Sequence, residues 1–186
     1  MRIYIVLMRG INLGNHHKVK MADLRSFLES ERFQNVSTYI HSGNIVFTHE
    51  GESLEVVSAC VRRVLDRHYD FEIPFQLFDL SSWCEMVAFN PFPLHSEELV
   101  KRSHVTLLSS IPDMKSVSQL SEIDSKGDQI RWVQRAIYLQ CEGAYHQTKF
   151  GNNRIEKVLE REATTRTWRT IVKISDLVDR LVVALS

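Results

Sequence analysis

The sequence is short of cysteine. Its 186 residues hold three, Cys60, Cys84 and Cys141, an odd number at wide spacing, with no close pair of the kind that builds zinc or redox centres. This argues against a disulfide framework and for reduced, partly buried thiols in a reducing compartment. Net charge is missing as well. The 23 Lys and Arg balance 23 Asp and Glu, which excludes a whole-molecule pull toward nucleic acid or an anionic membrane, so RNA as a partner has no support from net charge and any basic patch is local. No apolar stretch approaches the roughly 20 residues that cross a bilayer, and the run after Met1-Arg2 is far shorter than a signal-peptide core. A cytoplasmic protein with no membrane partner is therefore expected. Catalytic signatures are lacking too: there is no Gly-x-Ser-x-Gly elbow, no His-Glu-x-x-His, no Walker loop and no dinucleotide glycine pattern. No cofactor and no metal are expected, no catalytic residue is assigned, and nothing in the charge or the pattern sets an oligomeric state.

What is present is ample core material, 44% hydrophobic residues, arranged with clear periodicity. Ile3 to Met8 is a short, β-branched apolar run that reads as a buried central strand. It discharges into a loop, Arg9 to Lys20, about twice as long as the usual 2–6 residue connection from strand to helix. Met21, Leu24, Phe27 and Leu28 then mark one face of a helix reaching about Ser30. Val36–His41 and Ile45–Thr48 read as strands joined by a tight turn at Gly43-Asn44. A helix from Glu52 to about His68 follows, then a strand at Phe75–Phe78 and a helix beginning at Ser81-Ser82. The proline-rich stretch Asn90-Pro91-Phe92-Pro93 is the expected boundary.

Beyond it the order restarts. His104–Ser109 is a strand, Pro112 to about Ile123 a helix, and Ile130–Gln134 with Ile137–Cys141 a second pair of strands. Asn152 or Asn153 caps a short helix carrying Ile155, Val158 and Leu159. Trp168, Ile171, Val172, Val178, Leu181 and Val182 form the stripe of a long closing helix. The pattern predicts an α+β protein of two tandem ferredoxin-like (α/β plait) subdomains, residues 1–92 and 93–186, with a long C-terminal helix. In such a plait the loop after strand one and the turn between strands two and three share an edge, so Arg9–Lys20 and Ser42-Gly43-Asn44 should be neighbours. Ser109-Ser110, the turn at Arg135 and Ala163–Arg166 should share the corresponding edge of the second half.

Several of these segments occur together and in order elsewhere. Arg9-Gly10-Ile11-Asn12 with Gly14, Met21 with Leu24-Arg25, Ser42-Gly43-Asn44 before Ile45-Val46-Phe47, Asn90-Pro91-Phe92, Lys149-Phe150, Asn152, Ile155-Glu156-Lys157 and Thr164-Thr165-Arg166 resemble the bacterial family called domain of unknown function 1697. The resemblance implies a tandem pair of ferredoxin-like plaits and no established activity. This chain departs from the family pattern at Asn15, Thr167 and Arg169.

The candidate site follows from the long loop. Gly10 and Gly14 permit left-handed backbone and close approach, the loop delivers amides to a helix start, and Arg9, Lys18 and Lys20 add charge, a combination suited to a phosphate or carboxylate. Asn12, Ser42 and Asn44 add polar groups, and Thr164, Thr165 and Arg166 join the candidate set because a guanidinium in a first helical turn opposes the helix dipole unless an anion balances it. The ligand-binding candidates are thus Arg9, Gly10, Asn12, Gly14, Lys18, Lys20, Ser42, Asn44, Thr164, Thr165 and Arg166, with a small anionic ligand as the expected partner. Each has a plainer reading: a surface loop pinned by glycine turns, turn chemistry at Ser42 and Asn44, and a threonine N-cap. The alternative function is a non-catalytic RNA-binding or protein-interaction module, for which Tyr4 and Phe47 on the plait strands are the aromatics in question, though core packing is the better account of them. His16 and His17, adjacent in the loop, read as solvated or as auxiliary anion contacts rather than metal ligands.

Overall fold

The computed structural model of the chain describes residues 1–51 and 53–185. These form two compact units, Met1–Glu85 with the residues from Lys173 onward, and Met86–Val172. In chain order the elements are β1 (Arg2–Met8), α1 (Met21–Ser30), β2 (Gln34–Tyr39), β3 (Asn44–His49), α2 (Leu54–His68), β4 (Phe75–Asp79) and α3 (Leu80–Ala88). There follow α4 (Glu97–Arg102), β5 (Ser103–Leu108), α5 (Met114–Ser121), β6 (Gln129–Val133), β7 (Ala136–Gln140), α6 (Asn152–Leu159), β8 (Ala163–Thr167) and α7 (Trp168–Leu185). The strands make two four-stranded sheets, β2-β3-β1-β4 and β6-β7-β5-β8, in which every pairing is antiparallel. Both orders are that of the β-α-β-β-α-β plait, so the fold is α+β, a tandem plait with a long C-terminal helix.

In the first unit, alternation along β1 divides its side chains between two buried faces. Tyr4, Val6 and Met8 enter the core beneath Leu24 and Leu28 of α1 and Val57, Val61 and Leu65 of α2. Ile3, Ile5 and Leu7 are buried on the opposite face. Ile5 pairs there with Phe78 of β4, whose ring meets Trp83 of α3 edge-on at 5.9 Å, and the Trp83 indole N–H donates to Ser175 Oγ of α7 at 3.1 Å. In the second unit, Leu108, Leu120, Ile137, Leu139, Phe150, Ile155 and Leu159 form the corresponding helix-side core.

The end of each central strand is clamped from two sides in the same way. Met8 N–H donates to Gly43 O and Arg9 N–H to Pro74 O, each at 2.8 Å. Leu108 N–H donates to Arg135 O at 2.8 Å and Ser109 N–H to Glu162 O at 2.9 Å. The long loop and the β2–β3 turn are neighbours, as the plait geometry requires. Each sheet's last strand also runs into a helix with no residue between them. Asp79 ends β4 and its Oδ1 accepts from Ser82 N at 2.8 Å. Thr167 ends β8 and its Oγ1 accepts from Thr170 N at 3.2 Å. One residue thus closes a strand and caps a helix.

Some local features differ from the sequence reading. Thr164, Thr165 and Arg166 do not precede a helix as caps or first-turn residues; they lie in β8, paired with β5, and Thr167 is the cap. Asn152 does not cap α6 but is its first residue, after Gly151. The β2–β3 connection is the four residues 40–43, because Asn44 is already paired with Tyr39. Ile40 and Gly43 there take φ of 50° and 72°. Helix α4, which buries no residue, has no counterpart in the apolar pattern. The expected start of α2 at Glu52 lies outside the described residues, as does Ser186, and the described helix is capped by Ser53, whose Oγ accepts from Val56 N.

Candidate anion-binding groove

The loop after β1 is organised around Asn12. This residue holds a left-handed φ of 55°, which asparagine tolerates better than most side chains. Its Nδ2 donates to Val19 O at 2.9 Å and to His41 O at 2.7 Å. Its Oδ1 accepts from Val19 N at 2.9 Å, and its own N–H reaches His17 O at 3.0 Å. One side chain therefore folds the loop back on itself and ties it to the β2–β3 turn. Ile11 and Val19 are buried on either side. Lys18 Nζ donates to Gly14 O at 2.5 Å. His17, at φ 48°, bonds Gly10 O through Nδ1 at 3.1 Å, which requires the proton on that nitrogen, and its ring stacks on Phe71 at 4.5 Å.

The turn facing this loop is equally constrained. Asn44 is buried, and its Nδ2 donates to Tyr39 O at 3.0 Å and Ser42 Oγ at 2.9 Å. Gly43 has φ 72°, and a Cβ added there would stand 2.6 Å from Met8 Cβ and 2.8 Å from Ile11 Cδ1.

Between loop and turn, at the start of α1, lies a groove of ≈ 770 Å³. Lys18, Lys20, Arg25 and His41 line it, over Asn12, Val19, Met21 and Ala22. None of these is acidic. Arg25 is held by Nη1 donating to Thr38 Oγ1 at 2.6 Å. Lys20 occupies the N-cap position and makes no side-chain cap hydrogen bond. Leu24 N–H bonds Lys20 O, so the three amides before it have no acceptor within the helix. Cations at this positive end of the helix dipole are unfavourable by roughly 0.3–1 kcal/mol each. Asp23 in the first turn of α1 offsets part of that charge, and an anion in the groove adds to it in the favourable sense.

Over residues 1–138 the sequence matches a family described as protein of unknown function (DUF1697). The chain belongs to that family. A solved structure of a conserved bacterial protein from Streptococcus pneumoniae is similar, at 25% sequence identity and a TM-score of 0.74, over 95% of this chain and 98% of that one. No curated protein matches. All eight groove residues of this DUF1697 member fall within the matched range.

The other candidates are placed differently. Arg9, Gly10 and Gly14 belong to the same loop but are not in the groove lining. Ser42 and Asn44 hold the turn. Thr164, Thr165 and Arg166 lie beyond the matched residues, in the second unit. There Thr165 Oγ1 bonds Thr106 Oγ1 at 2.8 Å and Asn152 Oδ1 at 3.0 Å. Arg166 is buried and donates from Nη1 to Thr164 Oγ1 at 2.8 Å and Thr165 O at 3.0 Å. Burial pulls its guanidinium down to about 10, because removal from water disfavours the charged form. The departures from the family pattern at Thr167 and Arg169 have structural uses: Thr167 caps α7, and Arg169 Nη2 donates to Glu97 Oε1 at 2.6 Å.

Sequence reasoning missed Arg25 and His41 as groove residues. The available signals were that Arg25 stands four residues after Met21, on the same helix face, and that His41 directly precedes the Ser42-Gly43 turn. Among the described residues, no group of three or more His, Cys, Asp or Glu could hold a metal ion, and no helix is long and apolar enough to cross a membrane.

Proposed function

We propose that this protein binds a small phosphate-bearing or other anionic ligand in the groove between the Arg9–Lys20 loop and the β2–β3 turn. The observation that carries this reading is the convergence of Lys18, Lys20, Arg25 and His41, with the open start of α1, on one groove with no lining carboxylate. Lys20 Nζ and the His41 ring have no partner among the described residues, so both are available without breaking a contact. The alternative RNA-binding reading has less support. Tyr4 and Phe47 are 1% and 0% exposed and stack at 5.9 Å inside the core, where no base reaches them.

The test is a thermal-shift titration of wild type and Lys20→Gln with inorganic phosphate and sugar phosphates. A ligand at about 100 times its dissociation constant stabilises by about 2.7 kcal/mol, or roughly 5–10 °C for a chain of this size. Lys20 is exposed, so Lys20→Gln should melt within about 1–2 °C of wild type without ligand and show a clearly smaller ligand shift. Equal shifts in the two proteins, or no shift with any compound, would sink the proposal.

A further inference from the structure

We infer that the groove at the start of α1 selects a phosphate monoester of a small organic molecule, whose phosphate carries two negative charges, over singly charged anions; this rests on the anion reading above and names its ligand class. The lining side chains have donors to give and few acceptors. Asn12 is spent, with its Nδ2 on Val19 O and His41 O and its Oδ1 on Val19 N. Lys18 Nζ gives a hydrogen to Gly14 O and keeps its others, while Lys20 Nζ is unbonded among the described residues. Arg25 is anchored through Nη1 to Thr38 Oγ1 of β2 at 2.6 Å, which holds the guanidinium in place with its Nε and Nη2 hydrogens still to give. A terminal phosphate suits such a set, because it accepts through three oxygens. Charge points the same way. Lys18, Lys20 and Arg25 are three cations on one groove, and no carboxylate lines it. Asp23 of the first turn lies outside the lining, and its charge acts on Tyr69, beyond the groove, whose phenol is raised by burial first and by this carboxylate second. A second negative charge on the ligand gains against each of the three cations, a gain that a carboxylate or a sulfate ester forgoes. The groove's ≈ 770 Å³ far exceeds what a bare phosphate fills and lies within the range of about 300–1,000 Å³ typical of organic ligands. Val19, Met21 and Ala22 contribute to its lining, so an uncharged body accompanies the phosphate.

The test is calorimetric titration of the full chain with phenyl phosphate, phenyl sulfate and inorganic phosphate at pH 8, where a phosphate monoester carries both charges. Phenyl sulfate has the same body and the same three terminal oxygens but one charge, so the pair isolates the second charge. Phenyl phosphate should bind about tenfold more tightly than phenyl sulfate, the sum of modest gains against partly exposed cations, and about fivefold more tightly than inorganic phosphate, from burial of the ring. Lys20→Gln and Arg25→Gln each remove one of the three cations, and each should bring the phosphate-to-sulfate preference down to about threefold. Lys20 is exposed, so its variant reports even where Arg25→Gln, which loses the guanidinium that bonds Thr38, melts early. Equal affinity for phenyl phosphate and phenyl sulfate in wild type overturns the monoester assignment and leaves the anion reading standing. Equal affinity for phenyl phosphate and inorganic phosphate overturns the organic body. A preference unchanged in Lys20→Gln places the selectivity outside this groove and overturns the inference. Binding of none of the three compounds overturns both readings.

Discussion

Replacing Gly43 by alanine tests how tightly the β2–β3 turn is packed against β1. Gly43 sits at φ +72°, and the added Cβ would meet Met8 Cβ at 2.6 Å, Ile11 Cδ1 at 2.8 Å and Met8 Cγ at 3.0 Å. Met8 Cβ is fixed to the backbone of the central strand, and Met8 N–H is bonded to Gly43 O at 2.8 Å, so relief means moving β1 or breaking that bond. A left-handed alanine costs about 1–2 kcal/mol, and overpacking adds about 1–3 kcal/mol. The expected loss is thus about 2–5 kcal/mol, a large share of the roughly 5–15 kcal/mol that holds a domain folded. Gly10 is a matched control, with the same φ of +72° and nothing within 4 Å of its added Cβ. Gly10→Ala should lose only the conformational part, about 1–2 kcal/mol. Urea unfolding of wild type and both variants, followed by circular dichroism, gives the comparison directly. A Gly43→Ala loss within about 0.5 kcal/mol of Gly10→Ala would refute the packing argument, since the two differ only in what surrounds the added methyl group.

Two further outcomes are expected. Asn12→Gly keeps the left-handed backbone but removes three hydrogen bonds, and should cost about 1–3 kcal/mol. In hydrogen exchange, the Val19 amide, which donates to Asn12 Oδ1, should lose protection; unchanged exchange there would show that the loop is held some other way. His104 is buried, and desolvation lowers its imidazole below the usual range, partly opposed by its bond to Arg102 O. The folded state then favours the neutral ring, so its contribution is present above the ordinary histidine value of about 6.5 and is lost as pH falls through the lowered folded value. One proton limits the slope to about 1.4 kcal/mol per pH unit. His49 shifts in the same direction, so the readout is the difference in acid sensitivity between wild type and His104→Phe, measured by urea midpoints at pH 5 and 7.5. Equal sensitivity would remove His104 from the account.

The parts of the fold legible in the sequence were those with one-sided or continuous burial. Helix α1 carried Met21, Leu24 and Leu28 at helical spacing, and β1 was apolar throughout because both of its faces are covered. Strand β8 escaped because it is an edge strand made of Ala-Thr-Thr-Arg-Thr, and threonine before a helix also reads as a cap. The surviving signal was β-branching at Thr164, Thr165 and Thr167, which favours an extended chain. Helix α4 escaped because it buries no side chain, so it has no apolar period. Its sign was electrostatic, Ser96 followed by Glu97-Glu98 and ending in Lys101-Arg102, in the sense that complements a helix dipole. The turn was misplaced because a β-branched residue at positive φ, Ile40, is not something propensity anticipates. Of the candidate site, the sequence supplied the loop and its lysines. It did not supply His41 or Arg25, whose relevance depends on how Asn12 pulls the loop across to the turn.

The strand-to-helix junctions at Asp79-Leu80 and Thr167-Trp168 bear on which changes of chain length the architecture accepts. A helix that begins on the last residue of a strand has no slack to absorb an insertion. One extra residue after Asp79 would turn the face of α3 by about 100°, carrying Trp83 away from Phe78 and from its bond to Ser175, and shortening by one residue would do the same in the opposite sense. The Leu13–His16 stretch, exposed and outside the hydrogen bonds that Asn12 makes with Val19 and His41, is under no such angular constraint. Length variation is therefore physically cheap at the exposed tip of this loop and expensive at the two helix starts, so the same scaffold admits a reshaped loop while its sheet-to-helix angles stay fixed.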